Sequence, residues 1–488
     1  MAGFPTPRRL VKLSPLVVLA GILLLGCDSA NEPVAVKPVA PVITSTAATV
    51  SAPAFDLKPW QAAQIDWQQF AGSQLTVLGD AQGAFQALQP LLPAFEQLTG
   101  IKVGLVLIQQ EEMRKKLRTD LSSGGGIYDV VPEGITDLGE AKQAGWLEPL
   151  EPYLADRRIT DPAWFNYADF SAKVIALCQV DGQLLSLPFD FSAPVFFYRK
   201  DLFDKYQIAV PDTYAEVVSM KSKLQAAMDA DGLTGIAAFT TRTTVGAGDN
   251  TWTIIPAIRA YGGEMFDGQW RPSFNSPQAV QALNVYRDMV TGYGSPVESR
   301  TQHFVEQRQL FRDGKLASGI FASHIFAYLN DPKHSQIVGK WDAAPPPQGP
   351  AGRFTSPWAW AFAMNAQSKN KAAAWLFMQW AASKETALLL GEGVGPARQS
   401  VWTPEYAAKL NAPGLASAYQ WIFTHGVNSP FQMGVAEFPE AGLVASKAFS
   451  EIFYAAPMAA TLDEAAAKTE TIMAAGPSRK AAAQHVSQ

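Results

Sequence analysis

The sequence is poor in the side chains that reactive chemistry uses most often. Cys27 and Cys178 are its only cysteines, and its five histidines are scattered over 488 residues. A disulfide framework is therefore not expected to carry the fold, which must rest on an apolar core. Cys178 lies in the apolar stretch from Val174 to Val180 and reads as a small buried hydrophobe, not as a catalytic or metal-binding thiol. No HExxH, nucleophile elbow, phosphate loop or metal-spaced His/Cys cluster occurs, so no metal or cofactor is expected. The glycine-rich run Gly391–Gly395 follows a helical stretch and lacks the strand-to-helix setting of a dinucleotide loop. No basic patch or interleaved basic-aromatic stretch is present, which argues against nucleic acid as a partner. Long apolar runs are also scarce. The single one, Leu13 to Leu25, falls short of the ~20 residues that cross a bilayer.

What is present describes an exported globular protein. With 48% hydrophobic and 17% charged residues, the chain has material for two to three domain equivalents. Arg8, Arg9 and Lys12 precede the apolar run, the pattern of a secretory signal over residues 1–26. Leu24-Leu25-Gly26-Cys27 resembles the lipobox of bacterial lipoproteins, although its second position usually holds a residue smaller than leucine. That resemblance implies lipidation of Cys27, which would also rule out an intramolecular disulfide. Asp28 resembles the signal that keeps Gram-negative lipoproteins on the inner membrane, whereas Leu10 onward fits twin-arginine export poorly. The formal net charge of −5 becomes more negative by three when the signal leaves with its cations. From residue 28 to about 58 the chain is rich in Ala, Pro, Val, Ser and Thr, an extended tether with no helical or strand period. Periplasmic location with a lipid anchor is the expectation.

The folded body opens near Gln74. Leu75–Leu78 reads as a strand, Pro90–Thr99 as a helix ending at Gly100, and Ile101–Ile108 as a second strand. This βαβ unit implies a parallel sheet covered by helices. Asn275-Ser276-Pro277 forms a helix start, with a capping side chain before a proline, and Val280, Leu283, Tyr286 and Val290 follow on one face. A further helix is expected from Lys371 to about Ser383, with alanine-rich helices over the last hundred residues. The fold class is α/β, with two sheets, because one domain of this length would be unusual.

Several ordered segments then point the same way. Asp181–Asp190 followed by Val195–Phe203 resembles the GxxYGLP and LxYNKDLF stretch of bacterial extracellular solute-binding proteins of the sugar-binding ABC-transporter type. Leu98–Val103, Gly145–Leu150, Phe311–Lys315 and Gly395–Arg398 resemble four further elements of that family, in order, across residues 74 to 470. The resemblance implies a type II periplasmic-binding-protein fold, with two α/β lobes that close on a ligand held between them. Lobe one is expected over 70–190 and 343–395, and lobe two over 191–342 and 396–474. Residues 27–69 would form the lipidated tether and 475–488 a frayed tail. Within the family, the sorbitol and mannitol binders are most similar, through Ser356–Met364 with its paired tryptophans and the helix that follows. The stretch Arg242–Trp252 is similar but not identical to their glycine-rich turn. The implied function is capture of a small neutral polyol or sugar and its delivery to ABC permease subunits, by a monomer without enzymatic activity. Docking on a sensor or chemoreceptor is the alternative, and a glycoside hydrolase is the enzyme reading least in keeping with the motifs.

A hydroxylated ligand needs planar side chains against its C–H faces and charged or amide groups for its hydroxyls. Trp358 and Trp360 point to one face of a strand and suit the first need, with core packing as the alternative. Asp80, Gln82 and Glu133 follow strands at the ends where open α/β sheets bind ligands, with caps or solvated carboxylates as alternatives. Asp190 and Ser192 lie at the expected crossover, where a buried carboxylate requires a partner. Arg242, Asn250, Trp252 and His324 are candidates from lobe two. Arg398 either touches ligand or braces the hinge. No concentration of cations is visible in the sequence, so the ligand is expected to be electroneutral.

Overall fold

The computed structural model of the chain describes residues 55–81, 83–134, 138–296, 302–390, 394–426, 435–454 and 456–479. The signal, Cys27 and residues 28–54 of the tether lie outside the described residues, as does Gln82. Residues 55–69, expected as the end of the tether, instead pack on the first core, with Trp60 and Trp67 buried. Two larger sheets organise the rest. In chain order their strands are β1 (Gln74–Asp80), β2 (Lys102–Ile108), β3 (Val130–Gly134), β4 (Ser186–Ser192), β5 (Pro194–Arg199), β6 (Thr240–Thr241), β7 (Ser318–Ala322), β8 (Trp341–Ala344) and β9 (Trp358–Met364). The first sheet runs β2-β1-β3-β9-β4 and the second β8-β5-β7-β6.

The first sheet begins as the sequence pattern predicts. β1 and β2 pair in parallel, Leu75 opposite Val103, and the helix Leu92–Thr99 crosses between them. Phe95 and Leu98 of that helix are buried, and Gly100 ends it in the left-handed conformation at φ 70°. The helix starts at Leu92 and not at Pro90 because Gln89–Leu91 is a tighter 3₁₀ turn. β9 enters antiparallel between β3 and β4, so a segment more than 160 residues downstream of β4 completes the sheet. Every residue of β4 is buried, as expected where both faces of a strand are covered.

Chain crossings lie close together. β4 ends at Ser192 in the first sheet and β5 begins at Pro194 in the second, so Ala193 alone separates them. The second crossing, residues 345–357, returns the chain from β8 to β9. A third segment is bolted to the first crossing. The Gly395 N–H donates to Asp190 Oδ1 at 2.7 Å, the Phe191 N–H donates to the Gly395 carbonyl at 2.7 Å, and the Tyr419 hydroxyl donates to the Phe191 carbonyl at 3.0 Å. A side chain at Gly395 would overlap the Phe191 carbonyl and the Tyr419 hydroxyl, so glycine is required by this close approach.

Around the second sheet, the helix Pro277–Val290 starts as the sequence predicts, with Ser276 Oγ accepting the Ala279 N–H, and buries Leu283, Tyr286 and Val290. The helices Phe438–Tyr454 and Met458–Ala475 pack into the same core through Phe449, Ile452, Leu462 and Met473. The helix Lys371–Ala381 returns to the first core with Trp375, Phe377 and Trp380 buried. Among the described residues no helix is long and apolar enough to cross a membrane.

Candidate ligand-binding site

Strand alternation builds one wall of a cavity of about 310 Å³. Ala359 and Ala361 of β9 are buried, and the intervening positions turn Trp358 and Trp360 the other way, half-buried, into the cavity. Their ring centroids are 6.2 Å apart at 76°. Phe85, on the helix Gly83–Leu88, meets Trp360 edge-on at 5.8 Å and is wedged against Phe189 at 4.9 Å and Phe362 at 5.5 Å. The aromatic floor is therefore held from behind by the core. The C-terminal ends of β1 and β4 add Asp80, Asp190 and Ser192, and Gln110 and Arg114 come from the helix Gln110–Ser123.

Elements attached to the second sheet form the facing wall. Arg242 follows β6, Asp249 precedes the helix Asn250–Ala260, and Trp252 lies in its first turn. His303, Phe304 and Arg308 come from the start and one face of the helix Phe304–Arg312, and His324 and Tyr328 from the 3₁₀ segment Ser323–Tyr328. The Arg242 guanidinium stacks on Trp252 at 4.4 Å, and that of Arg308 on Tyr328 at 4.0 Å. His303 Nε2 lies 3.1 Å from Asp249 Oδ1.

Burial decides the protonation of two of these groups. Loss of hydration pushes the Asp190 carboxyl up to about 7, against the opposing pull of the Gly395 and Phe191 N–H groups. His324 is pushed down to about 3, first by burial and then by the charges of Arg242 and Arg308, so its ring is neutral at physiological pH. Burial also lowers Arg242 to about 10, which leaves it charged. Two polar atoms of cavity-lining residues, Trp252 Nε1 and His324 Nδ1, are buried without a partner among the described residues. Buried polar atoms are rarely left so, and a hydroxylated guest supplies both donors and acceptors.

The structure brings Asp80, Asp190, Ser192, Arg242, Trp252, His324, Trp358 and Trp360 to this one cavity. Glu133 lies in β3 opposite Ala361, but its side chain is outside the described residues, as is Gln82 altogether. Two candidates face elsewhere. Asn250 is wholly buried, its Nδ2 donating to the Ser446 carbonyl at 3.0 Å and its Oδ1 accepting from Ser446 Oγ at 2.7 Å, so it clamps two helices together. Arg398 is 2% exposed and donates to the carbonyls of Ala382, Phe165 and Asn166, over the rings of Phe165 and Phe170. It braces the first core and does not line the cavity. Phe85, Gln110, Arg114, Asp249, His303, Phe304, Arg308 and Tyr328 are lining residues that the sequence reading missed. One signal was available. Phe304 and Arg308 are four apart on a helix and so share a face. Three arginines dispersed in the sequence meet here, matched by three aspartates.

Comparison with known proteins agrees with this architecture. The family described as bacterial extracellular solute-binding protein matches residues 79–388. The erythritol/L-threitol-binding protein of Mycolicibacterium smegmatis is 30% identical over 359 residues, 69% of this chain and 73% of that protein. The mannitol-binding protein of Pseudomonas aeruginosa is 29% identical over 332 residues, 66% of this chain and 73% of its own length. An ABC-transporter solute-binding protein from Agrobacterium vitis S4, solved with bound D-mannitol, aligns with a TM-score of 0.71 at 27% identity, covering 83% of this chain and 100% of that one. With two sheets joined by short crossings and a cavity between them, the chain has the two-lobed type II fold and belongs to the bacterial extracellular solute-binding protein family.

Proposed function

We propose that this protein captures a small neutral polyol between its lobes and delivers it to the permease of an ABC transporter. One observation carries the reading. A single cavity of about 310 Å³ combines Trp358, Trp360 and Trp252 with three carboxylates and three guanidinium groups, drawn from elements of both sheets. Aromatic faces suit the C–H surfaces of an extended carbon chain, and charged groups of both signs suit hydroxyls, which donate and accept at once. The balance of formal charge favours a neutral guest over a phosphorylated one. Relatives that bind erythritol, threitol and mannitol support a linear polyol over a ring sugar. No step of bond making or breaking is assigned to the cavity.

Capture follows from geometry. A guest that touches Asp80, Asp190 and Trp358 on one side and Arg242, Arg308 and Trp252 on the other gains its full set of contacts only when the lobes are together. Its differential affinity therefore draws the lobes closed. The lobes divide, in this reading, at the crossings Ala193 and 345–357, a few residues beyond the expected 190/191 and 342/343, and again near Gly395. The mature protein is held at the outer face of the cytoplasmic membrane by lipid on Cys27, with the stretch from residue 28 to the folded body as spacer, and works as a monomer. Replacing Cys27 by serine is expected to move the protein from the detergent phase to the aqueous phase in a detergent-partition assay. Unchanged partition would remove the anchor.

A thermal-shift screen of erythritol, ribitol, arabitol, mannitol, sorbitol, glucose, maltose and glycerol 3-phosphate tests the ligand class. Stabilisation by at least one neutral polyol is expected, by roughly 3 kcal/mol at a hundredfold excess over Kd. Stabilisation by glycerol 3-phosphate alone would contradict it.

A further inference from the structure

We infer that the cavity also accepts an aldonate, a polyol chain with one end oxidised to a carboxylate, and that Arg242 forks that carboxylate. The inference rests on the reading of the cavity as a polyol site and names a second ligand class for it. Most arginines of the chain reach an acid. Arg118, Arg199, Arg259, Arg353 and Arg398 each lie within 4.0 Å of a carboxylate oxygen. Arg242 and Arg308, both in the cavity wall, form no such ion pair among the described residues. Aromatic rings hold them instead. Arg242 lies over Trp252 at 4.4 Å and Phe304 at 5.6 Å, and Arg308 over Tyr328 at 4.0 Å and Phe304 at 5.8 Å.

A stacked guanidinium keeps its N–H edge open, and that edge matches the two oxygens of a carboxylate. The two arginines differ in how far that edge is used. Arg308 lies directly on the Tyr328 ring, whose hydroxyl also acts on it. Among the described residues the Arg242 guanidinium has one long hydrogen bond, Nη1 to the Gly248 carbonyl at 3.5 Å. A cation partly withdrawn from water without an ion-pair partner is costly, and burial already pulls Arg242 down to about 10. The acid whose charge acts on it, Asp249, is engaged at 3.1 Å by His303. His324, neutral under burial and the two arginine charges, adds no further charge beside them.

Net charge in the cavity also differs by side. Asp80 and Asp190 outnumber Arg114 on the first sheet's wall, and Arg242 and Arg308 outnumber Asp249 on the second's. A polyhydroxy chain crossing between them offers hydroxyl donors to the aspartates. Its far end meets guanidinium donors, where a carboxylate is a better acceptor than a hydroxymethyl group.

Titration of the intact protein with D-sorbitol, D-gluconate and D-gluconamide tests this, because the three share one carbon skeleton and only gluconate is charged. Gluconate is expected to bind about tenfold more tightly than gluconamide, the margin of a charge-assisted pair over a neutral one. In Arg242→Gln that preference is expected to fall to parity. Sorbitol binding with gluconate no tighter than gluconamide overturns the inference and leaves the polyol reading intact. A gluconate preference that survives in Arg242→Gln overturns the assignment to Arg242. Should that variant fail to fold, the wild-type comparison still decides the ligand class. Gluconate binding without sorbitol binding would uphold the inference, and silence from all three ligands would overturn it, while the polyol reading in either case is decided by the wider polyol series.

Discussion

Asp190 holds the crossover together with one carboxyl oxygen while its side chain lines the cavity, and burial ties both roles to pH. In the folded protein its carboxyl sits at about 7, against 3.8 for an ordinary aspartate. Between those values the unfolded chain has lost a proton that the folded chain keeps, so this group's contribution to stability falls as pH rises through the window. His324 acts with the opposite sign. Its ring sits at about 3 against 6.5, so the unfolded chain gains a proton first as pH falls, and stability is lost in that direction. Asp190→Asn should therefore gain stability relative to the natural protein at about pH 7.5 and lose that advantage near pH 4.5, in urea denaturation at the two values. An equal difference at both would contradict the burial argument. Two other side chains separate binding from bracing. Trp358→Ala removes half-exposed aromatic surface from the cavity wall, and should weaken polyol binding by about 2 kcal/mol, roughly thirtyfold, with little change in melting temperature. Arg398→Leu leaves the carbonyls of Phe165, Asn166 and Ala382 without donors, and should cost about 3 kcal/mol of stability while the folded fraction binds polyol normally. Chemical denaturation with calorimetry distinguishes the two patterns.

At the scale of elements, legibility followed locality. The β1-helix-β2 unit, the Ser276-capped helix and the alternating tryptophans of β9 were readable because each is set by neighbours within a few residues. Asp80 was readable as a strand end, where this class of sheet places its ligands, and Asp190 and Ser192 as residues of the expected crossover. Arg308, Phe304 and Tyr328 were not, because which face of a short helix meets the cavity is decided by packing of its other face, Gln307 and Phe311, against the core. Asn250 and Arg398 show the converse. Polarity alone does not say whether a side chain turns toward the cavity or satisfies buried backbone groups. The crossover itself gives a test. Gly395→Ala would press a methyl group against the Phe191 carbonyl and the Tyr419 hydroxyl, and should destabilise the protein by about 1–3 kcal/mol and weaken ligand binding with it, since the same contacts position Asp190. Loss of stability with unchanged affinity would separate the hinge from the site.

For the molecule as a whole, the economy of reactive residues and the composition of the cavity describe the same thing. A protein that holds and releases a guest needs paired donors, acceptors and aromatic surface, with its two walls on separate bodies, and the cavity draws on both sheets. Family membership and the two-lobed fold agree with that economy. The most direct test is calorimetric titration of the intact protein with a series of linear polyols from four to six carbons: erythritol, ribitol, arabitol, mannitol and sorbitol. The account predicts one-to-one binding of at least one of them in the micromolar range or tighter, about −8 kcal/mol or better. Absence of binding by every member of the series at millimolar concentration would contradict it.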